Sequence, residues 1–527
     1  MSDPKVEASG AAETGQTAAP RTVYSIFGKL EKCYIVILIA VAGWFSTLSS
    51  FIYYPVITFV ARDLHTTVAK INLTVTSYMV VSGIAPAIVG DAADMLGRRP
   101  MYVVTLAIYF VANVGIAVQK SFVALLLLRM LQSAGISGVF SIAYGVLADI
   151  STPAERGTYV GALSLGITTA PSIGPLLGGV IGARAGWRWI FWFLCIVSGA
   201  CLAAMILSLP ETARNLVGNG SIRPPPGYRL PFPRIMEQSR SIDQDAVPEF
   251  DRESHWHIPN PIKCLVILSR TDTFLVVTAG GIIYMSYCCL QASLSSLFVE
   301  VYGLGQLEAG LIYLPFGVGG IVITLISGKI LDRDYRITAK AHNITIDKVH
   351  GDDLLTFPVE KARLRSVFVP ISIVIISTIG YGWSLQTRAH MAVPLVLQFI
   401  LGLTVQMCFN VNNTLLIDIN HTAPATAQAS SNIVRCALAA VAVAVLQDII
   451  DAINVGWTFT LLGSLCSVSA LLYLIDRQHG MRFRVAQGQE SASRRAEVSA
   501  DDTLVGRDVE LTKKSEEQRG VTVGEKS

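Results

Sequence analysis

The chain has 527 residues, of which 52% are hydrophobic and only 15% charged, and its mean hydropathy is +0.52. Soluble globular proteins carry about 25% charged residues, so this composition excludes that class and indicates a protein that crosses a membrane several times. The formal net charge of +3 is too small to indicate a nucleic-acid partner. The nine cysteines follow no zinc or disulfide spacing, and we predict neither a metal nor a cofactor.

Twelve apolar runs follow one another along the chain, and each is long enough to cross a bilayer as a helix. Six lie in the first half, at residues 33–57, 71–89, 101–118, 122–148, 159–181 and 189–207. Six more lie in the second half, at residues 274–298, 309–330, 367–385, 391–417, 429–446 and 457–475. We therefore predict an all-α polytopic membrane protein with about twelve transmembrane helices in two six-helix bundles.

Polar segments divide the chain at both ends and in the middle. The predicted parts are an N-terminal tail at residues 1–32, a first bundle at 33–208, a linker at 209–272, a second bundle at 273–475 and a C-terminal tail at 476–527. Both tails are poor in apolar residues, and we expect them to be disordered. Arginine and lysine concentrate in the linker and in alternate loops, so the positive-inside rule places the linker and both termini in the cytoplasm. We expect a multi-pass protein of the plasma membrane.

The loop after the second run has the sequence GDAADMLGRRP. It is too short for a domain and too charged for hydrocarbon, so we predict a tight turn at a membrane surface. Gly90 and Gly97 permit turn dihedrals and a close approach of the backbone. Asp94 supplies an anion, and Arg98 and Arg99 anchor the turn on the positive side of the membrane.

The same spacing returns after the eighth run, in Gly328, Asp332 and Arg336. The two aspartates, Asp94 and Asp332, are 238 residues apart, which is nearly half the chain and indicates an internal duplication. We expect both copies to act as a conformational latch. In particular, Asp94 should hold one face of the protein closed by meeting the N-terminus of the eleventh helix near Ala427.

Two arginines lie inside predicted spans, Arg129 in the fourth run and Arg435 in the eleventh, and no acidic residue or histidine lies deep in any run. An intramembrane arginine costs roughly 3 kcal/mol or more unless it meets water or a partner. Two explanations stay open for each: a structural arginine that binds backbone carbonyls, or an anion site or coupling element. Gln132 lies on the same helical face as Arg129.

The fifth run combines helix breakers with small residues, in Pro171, Gly174, Pro175, Gly178 and Gly179. Proline bends a helix and removes a backbone donor, while glycine lets a neighbouring helix approach closely. The eighth run offers matching glycines. We therefore expect a pliable contact between the fifth and eighth helices that works as a hinge, with a purely packing role as the alternative.

Uncharged polar side chains are frequent in the tenth and seventh runs, which contain Gln398, Asn410, Tyr284 and Gln291. Amides and phenols inside a span face either a cavity or another helix, and the sequence does not choose between the two. We treat all four as candidate substrate or coupling residues.

Together these motifs resemble those of the major facilitator superfamily, and specifically of its fungal twelve-span drug:proton antiporters. GDAADMLGRRP resembles the family's loop signature, LLRMLQSAG resembles its fourth-helix motif, and the segment from Pro171 to Gly179 resembles the fifth-helix motif of exporters. GWRWIFWF and LPETARNLVGNGS are also similar to fungal members, and the resemblance covers residues 32–477. Ala92, Met95 and Ala170 depart from the usual leucine, arginine and glycine, which affects the latch rather than the fold.

The resemblance implies a secondary active transporter that works by alternating access of two bundles around a site near the midplane. It extends to quinidine-resistance-type drug exporters and to exporters of citrate and other organic acids. A cationic drug would favour a buried carboxylate, whereas two arginines suit an acid. We therefore favour export of an organic acid or acidic secondary metabolite over multidrug:proton antiport, and both over a nutrient importer or a non-transporting sensor.

Proton coupling is also implied by the resemblance, with Asp149 and Glu155 as candidate carriers because no deeper acid is present. No catalytic motif occurs, so we do not expect an enzyme. The expected partners are a small-molecule substrate, protons and the lipid bilayer, and we expect the chain to act as a monomer.

Overall fold

The computed structural model describes residues 23–224, 262–304, 311–344, 357–421 and 423–523, together with residues 308, 346–347 and 352. Within these ranges the chain is almost entirely helical. Residues 1–22, for which we expect disorder, and the central part of the linker lie outside the described residues.

Six long helices form the first half of the chain. They are α1 (Lys29–Phe51), α2 (Val68–Leu96), α3 (Arg98–Val118), α4 (Phe122–Ile150), α5 (Pro153–Ala185) and α6 (Arg188–Ser208). Shorter helical pieces at Tyr54–Val56 and Ile57–Asp63 connect α1 to α2, and another at Arg214–Val217 follows α6.

The second half repeats this plan after a short helix at Ile262–Leu268. Its long helices are α7 (Thr271–Tyr302), α8 (Leu314–Ala341), α9 (Phe368–Gln386) and α10 (Ala392–Ile419), with a one-turn helix at Val359–Arg363 before α9. The last helical stretch, Pro424–Val523, is broken at Asn454, where φ is 66° and ψ is 165°. We number the part before this break α11 and the part after it α12.

Length and hydropathy qualify ten of the described helices as membrane spans. Helix α5 is a further candidate span. It consists of two segments, Pro153–Pro171 and Ile173–Ala185, with a bend of 41° between them. Pro171 causes such a bend because it lacks an N–H and its ring clashes with the preceding turn. The 62-residue stretch Pro424–Val485 counts as one of the ten, although at about 1.5 Å per residue it far exceeds a hydrocarbon layer of about 30 Å. Asn454 divides this stretch into two helices, α11 and α12, which fits the predicted six-plus-six arrangement.

Each half packs around its own apolar core, and two pairs of helices make the most extensive contacts between the halves. Helix α5 packs along α8, and α2 packs along α11. Glycines bring the first pair into backbone contact: a Cβ atom on Gly328 would lie only 2.6 Å from Cα of Thr158. The interface is therefore built from backbone surfaces that can slide or separate as units.

The turn in GDAADMLGRRP is shorter than the sequence predicts. Helix α2 includes the motif up to Leu96 and α3 begins at Arg98, so Gly97 alone makes the turn. Its φ of 105° lies in the region that favours glycine. A Cβ atom there would also approach Oε2 of Glu211 to 2.7 Å, so both the backbone and the surroundings require glycine.

The second copy of the motif, which contains Asp332 and Arg336, is not a turn. Both residues lie inside α8, which continues without a break to Ala341. The position that corresponds to Gly97 is occupied by Tyr335. Because tyrosine does not readily adopt a positive φ, the helix continues where the first copy turns.

The predicted hinge contact of Gly174 and Gly178 with the eighth helix is wrong. These glycines face α1: a Cβ atom on Gly178 would lie 2.0 Å from the carbonyl oxygen of Ile52. The glycines of α5 that meet α8 are Gly157 and Gly161, which precede Pro171. The bend in α5 explains the difference, because it separates a part that follows α8 from a part that follows α1.

The predicted disorder of the tails stays a prediction, and the structure describes the backbone of part of each tail. Helix α1 begins at Lys29, inside the predicted N-terminal tail, and residues 23–28 pack against the start of the linker. The C-terminal backbone stays helical to Val523. Its many glutamate, lysine, arginine and glutamine residues have high helix propensity, which low hydrophobicity alone does not reveal.

The adjacent pair Gly178 and Gly179 provides a matched test of the α1–α5 contact. We expect Gly178→Leu to destabilise the protein by about 1–3 kcal/mol, because the side chain must displace the backbone of α1. Gly179→Leu should be close to neutral, since its Cβ atom would have no neighbour within 4 Å. Melting temperatures in detergent measure both effects, and equal loss in the two variants would contradict this packing.

Candidate functional site

Charged segments of both halves gather at one end of the bundle, which we call the linker face. In the first half it comprises the turn at Gly97, the junction of α4 and α5, and residues 209–224. In the second half it comprises residues 331–336 of α8, the helix Val359–Arg363, and the junction of α10 and α11.

Asp94 joins the two halves at the linker face. Its Oδ2 accepts hydrogen bonds from the backbone N–H of Thr426, at 2.9 Å, and from the Thr426 hydroxyl, at 2.6 Å. Thr426 lies in the first turn of α11, one residue from the predicted contact at Ala427. A carboxylate at a helix N-terminus gains up to about 2 kcal/mol when partly buried. Gly90 allows the approach, since a Cβ atom there would lie 3.0 Å from the carbonyl oxygen of Ala425.

Asp332 makes the equivalent contact in the opposite direction. Its Oδ2 accepts a hydrogen bond from the Thr158 hydroxyl, and the Thr158 backbone N–H interacts with the same carboxylate. Thr158 lies near the start of α5, so each half places an aspartate against the beginning of a helix in the other half. Arg336 is exposed and donates to the backbone oxygen of Asp332 at 3.2 Å.

Arg98 and Arg99 hold the first copy of the motif in place. The Arg98 guanidinium bonds Asp94, and its Nε donates to Asp149 at 2.9 Å. Glu211 accepts hydrogen bonds from the backbone N–H groups of Arg98, at 2.9 Å, and Arg99, at 3.2 Å. Burial raises the pKa of Glu211, and these N–H donors oppose that rise. Asp149, a predicted proton carrier, is therefore engaged in a structural ion pair.

Asp418 forms the most deeply buried ionic contact between the halves. It lies at the end of α10 with 0% exposure, and one of its oxygens forms an ion pair with Arg156 of the first half. Its other oxygen accepts from Nε of Arg363 at 2.7 Å. Arg363 also donates to the backbone oxygen of Pro153 in the first half. One carboxylate thus bridges two arginines at the junction of the bundles.

The segment before α1 contributes to the same cluster. The Tyr24 hydroxyl accepts from Arg156 at 3.1 Å and donates to the backbone oxygen of Ala148 at 3.0 Å. The Arg214 guanidinium lies 3.7 Å from the centre of the Tyr24 ring. The N-terminal segment and the start of the linker therefore support Arg156 from the outer side of the linker face.

Arg129 is enclosed within the first half. It is 1% exposed, and its guanidinium lies 4.5 Å from the ring centres of both Tyr53 and Tyr78. It donates to Gln132 at 2.6 Å, and Gln132 donates to Asn113 at 2.7 Å. Such an arginine, which contacts two tyrosine rings of its own half, is positioned by its own bundle.

Arg435 occupies a different environment, between the two halves. It is half-buried on α11, with its guanidinium 5.4 Å from the ring centre of Phe140 in α4 and 4.7 Å from that of Tyr284 in α7. It donates to Asn432 at 2.9 Å, and its Nε has no hydrogen-bond partner among the described residues. The predicted candidates Arg435 and Tyr284 are therefore neighbours, with Phe140 completing the contact.

Aromatic rings extend from Tyr284 along the second half. Tyr284 lies 5.9 Å from Tyr287 and 6.0 Å from Phe409, measured between ring centres. Tyr287 stacks on Phe316 at 5.2 Å. An apolar wall therefore adjoins the half-buried guanidinium of Arg435.

The remaining polar candidates lie elsewhere in the second half. Asn410 donates to Ser327 of α8 at 2.8 Å, so it holds two helices together. Gln398 is fully buried on α10, near Tyr381 of α9. Gln291 is half-buried on α7. The structure does not bring these three together with Arg435 by any hydrogen bond in the described chain.

Sequence reasoning missed the ionic cluster at Asp418 and the bridge from Asn413 to Tyr144. Asn413 of α10 donates to the Tyr144 hydroxyl of α4 at 2.8 Å, across the two halves. The only available signal was that Asp418 directly ends an apolar run. Among the described residues, no group of three histidine, cysteine or acidic side chains is arranged to hold a metal ion.

Two helical bundles that repeat one plan and meet through a charged face are the architecture of a membrane transporter with two repeated halves. The sequence matches the Major Facilitator Superfamily model over residues 39–444. The chain belongs to this superfamily and is a multi-pass membrane transporter, which confirms the family predicted from its motifs.

Two curated relatives illustrate the match. The MFS-type transporter phiD of a fungal species (strain ATCC 74256) is 35% identical over 497 residues, which cover 93% of this chain and 75% of that protein. Citrate exporter 1 of Aspergillus niger is 35% identical over 466 residues, which cover 86% of this chain and 87% of that protein. Such relatives are transporters rather than enzymes.

Solved structures share the fold. The proton:xylose symporter XylE superposes with a TM-score of 0.60 at 14% identity, covering 86% of this chain and 96% of XylE. The human organic anion transporter MFSD10 gives a TM-score of 0.57 at 15% identity, covering 84% of this chain and 99% of MFSD10.

Removing the charge of Asp94 should weaken the closure of the linker face. The labelling rate of a native cysteine can measure this change. Cys264 is fully buried, with its sulfur 3.7 Å from the backbone oxygens of Ala87 in α2 and Thr426 in α11. We expect Asp94→Asn to raise the rate at which a thiol reagent labels Cys264, read by mass spectrometry, and to slow transport without loss of membrane insertion.

Asp63→Asn is the matched control, because Asp63 forms an exposed ion pair with Arg188 away from the linker face. It should leave Cys264 labelling unchanged. Normal transport and wild-type labelling in Asp94→Asn, at normal expression, would refute the latch.

Proposed function

We propose that this transporter exports an organic acid or an acidic secondary metabolite by alternating access of its two halves. The site we assign to the substrate is the guanidinium of Arg435 with the adjoining rings. The observation that carries this proposal is the position of Arg435 between the bundles, where both halves supply its neighbours.

The charge of this site favours an anion. The contacts of Arg435 in the described chain are two rings and the amide of Asn432, and none is a carboxylate. A cationic guest would meet an uncompensated positive charge there, which costs free energy in a medium of low dielectric constant. A carboxylate would instead accept two parallel charge-assisted hydrogen bonds from the guanidinium.

The apolar wall favours an acid with a substantial apolar body. The rings of Tyr284, Tyr287 and Phe409 provide surface that a small polyanion cannot use. Arg129 is covered by Tyr53 and Tyr78, so a second carboxylate would not find an open guanidinium there. An amphipathic carboxylate uses both features, since its head pairs with Arg435 and its body packs on the rings.

We assign the linker face to the cytosol of a plasma-membrane protein, since the basic loops and linker lie on that face. Export is the proposed direction because the fifth-helix segment resembles that of exporters and a curated relative is a citrate exporter. We propose that the monomer is the working unit and that protons drive it. In the described conformation the contacts of Asp94, Asp332 and Asp418 close the cytosolic side.

Substitutions of Arg435 test this assignment. In proteoliposomes we expect Arg435→Ala to reduce transport of labelled carboxylates at least tenfold, which corresponds to about 1.4 kcal/mol or more. Arg435→Lys should restore little, because lysine lacks the two parallel donors. Substrates should include a tricarboxylate, an aromatic or fatty monocarboxylate, and a cationic dye, and the monocarboxylate should be the best transported.

Arg184→Ala is the control, because Arg184 is exposed in the last turn of α5. Arg129→Ala should lower protein stability as well as transport, since Arg129 holds its own bundle together. The proposal fails if the wild type moves no acid and if the Arg129→Ala and Arg435→Ala variants both still export the dye. That result would instead support a multidrug:proton antiporter.

A further inference from the structure

Three buried carboxylates meet at the linker face of the second half, away from the substrate site. They are Asp272 at the start of α7, Glu360 in the helix Val359–Arg363, and Asp476 in α12, with exposures of 0%, 1% and 0%. Two arginines oppose them. Arg270 pairs with Asp272 at 2.9 Å, and Arg484 pairs with Glu360 at 3.3 Å.

Asp476 has no hydrogen-bond partner for either carboxylate oxygen among the described side chains. It nevertheless lies close to Glu360: a Cβ atom on Gly480 would be 2.6 Å from Oδ1 of Asp476 and 2.8 Å from Cγ of Glu360. The charged groups that act on Asp476 are Glu360, Asp272 and Arg484. An ionised carboxylate in this position would be buried, unpaired and next to two other negative charges, which is strongly unfavourable.

Asp476 is the one carboxylate of these three without a guanidinium of its own in the described chain, whereas Asp418, which also acts on Glu360, is paired with Arg156 and Arg363. Three carboxylates face two guanidiniums, and each guanidinium already has its own carboxylate. We propose that Asp476 and Glu360 hold one proton between them while the linker face is closed, and that loss of this proton favours opening of that face. The inference does not depend on the identity of the transported substrate.

The connection to opening runs through the helix Val359–Arg363. Glu360 and Arg363 lie in this single turn, and Arg363 bonds both Asp418 and the backbone oxygen of Pro153. When the proton leaves, repulsion between Asp476 and Glu360 pushes the turn away from α12. Arg363 moves with this turn, and its hydrogen bond to the backbone oxygen of Pro153 in the first half is lost.

The pH dependence has a definite sign. Burial raises the pKa of Glu360, and the neighbouring Arg484 only partly opposes this rise. A carboxyl group with a raised folded-state pKa binds more protons in the folded protein than in the unfolded chain, so stability falls as pH rises through the folded-state pKa. The closed protein is therefore expected to lose stability toward neutral and alkaline pH.

The test uses the purified full-length protein between about pH 5 and about pH 8. In the wild type, the unfolding constant should rise up to roughly tenfold per pH unit within the titration range of the pair, which is the effect of one bound proton. Asp476→Asn, which copies the shape of the neutral acid, should remove most of this dependence. Glu360→Gln should reduce it too. Asp448→Asn, an exposed charge on α11, should keep the wild-type profile.

A second readout separates opening from stability. Labelling of buried Cys264, normalised to labelling of exposed Cys33, should rise with pH in the wild type and stay low in Asp476→Asn. Equal pH profiles of both readouts in the wild type and Asp476→Asn would overturn the proposal. It is also overturned if Asp476→Asn fails to fold while Glu360→Gln keeps the wild-type profile, since Asp476 would then be needed as an anion.

Discussion

The closed state of this transporter depends on one carboxylate shared by two arginines from opposite halves. Asp418 has no exposure, and neither Arg156 nor Arg363 has another carboxylate in the ion pairs of the described chain. Removing one partner of such a buried group costs about 3–5 kcal/mol, because the remaining charge is left unpaired. The contacts of Asp94 and Asp332 with helix starts add to this closure but are more exposed and individually weaker.

The arrangement explains how closure can be strong and still reversible. All of these bonds lie at one face, whereas the helix pairs α2–α11 and α5–α8 meet through small residues that can separate as units. Opening the linker face breaks these ionic contacts, and water then solvates the charges that are released. Arg435, the proposed substrate site, lies along the same interface, so opening of the face would change access to it without rearranging the adjoining rings.

The sequence predicted the fold and the contact of Asp94 with the start of α11 well because both follow from short-range patterns. The length of the apolar runs predicts the spans. Asp94 lies three residues before Gly97, which makes a turn that other residues would not make easily. The repeat preserved Asp332 as well, but Tyr335 in place of Gly97 prevents a turn, so the second copy lies within a continuous helix. Arg129 and Arg435 looked alike in sequence. Their environments differ because of rings on other helices. Residue spacing along one helix carries no information about those rings.

The central claim is that Asp418 holds the linker face shut, and the distance between the halves measures it directly. Spin labels at exposed Lys29 and Lys361, one on each half and introduced as unnatural amino acids, leave the native cysteines in place. Pulsed electron resonance should give a single short distance in the wild type without substrate. Asp418→Asn should add a population at longer distance. An unchanged distribution in a folded Asp418→Asn protein would contradict the account.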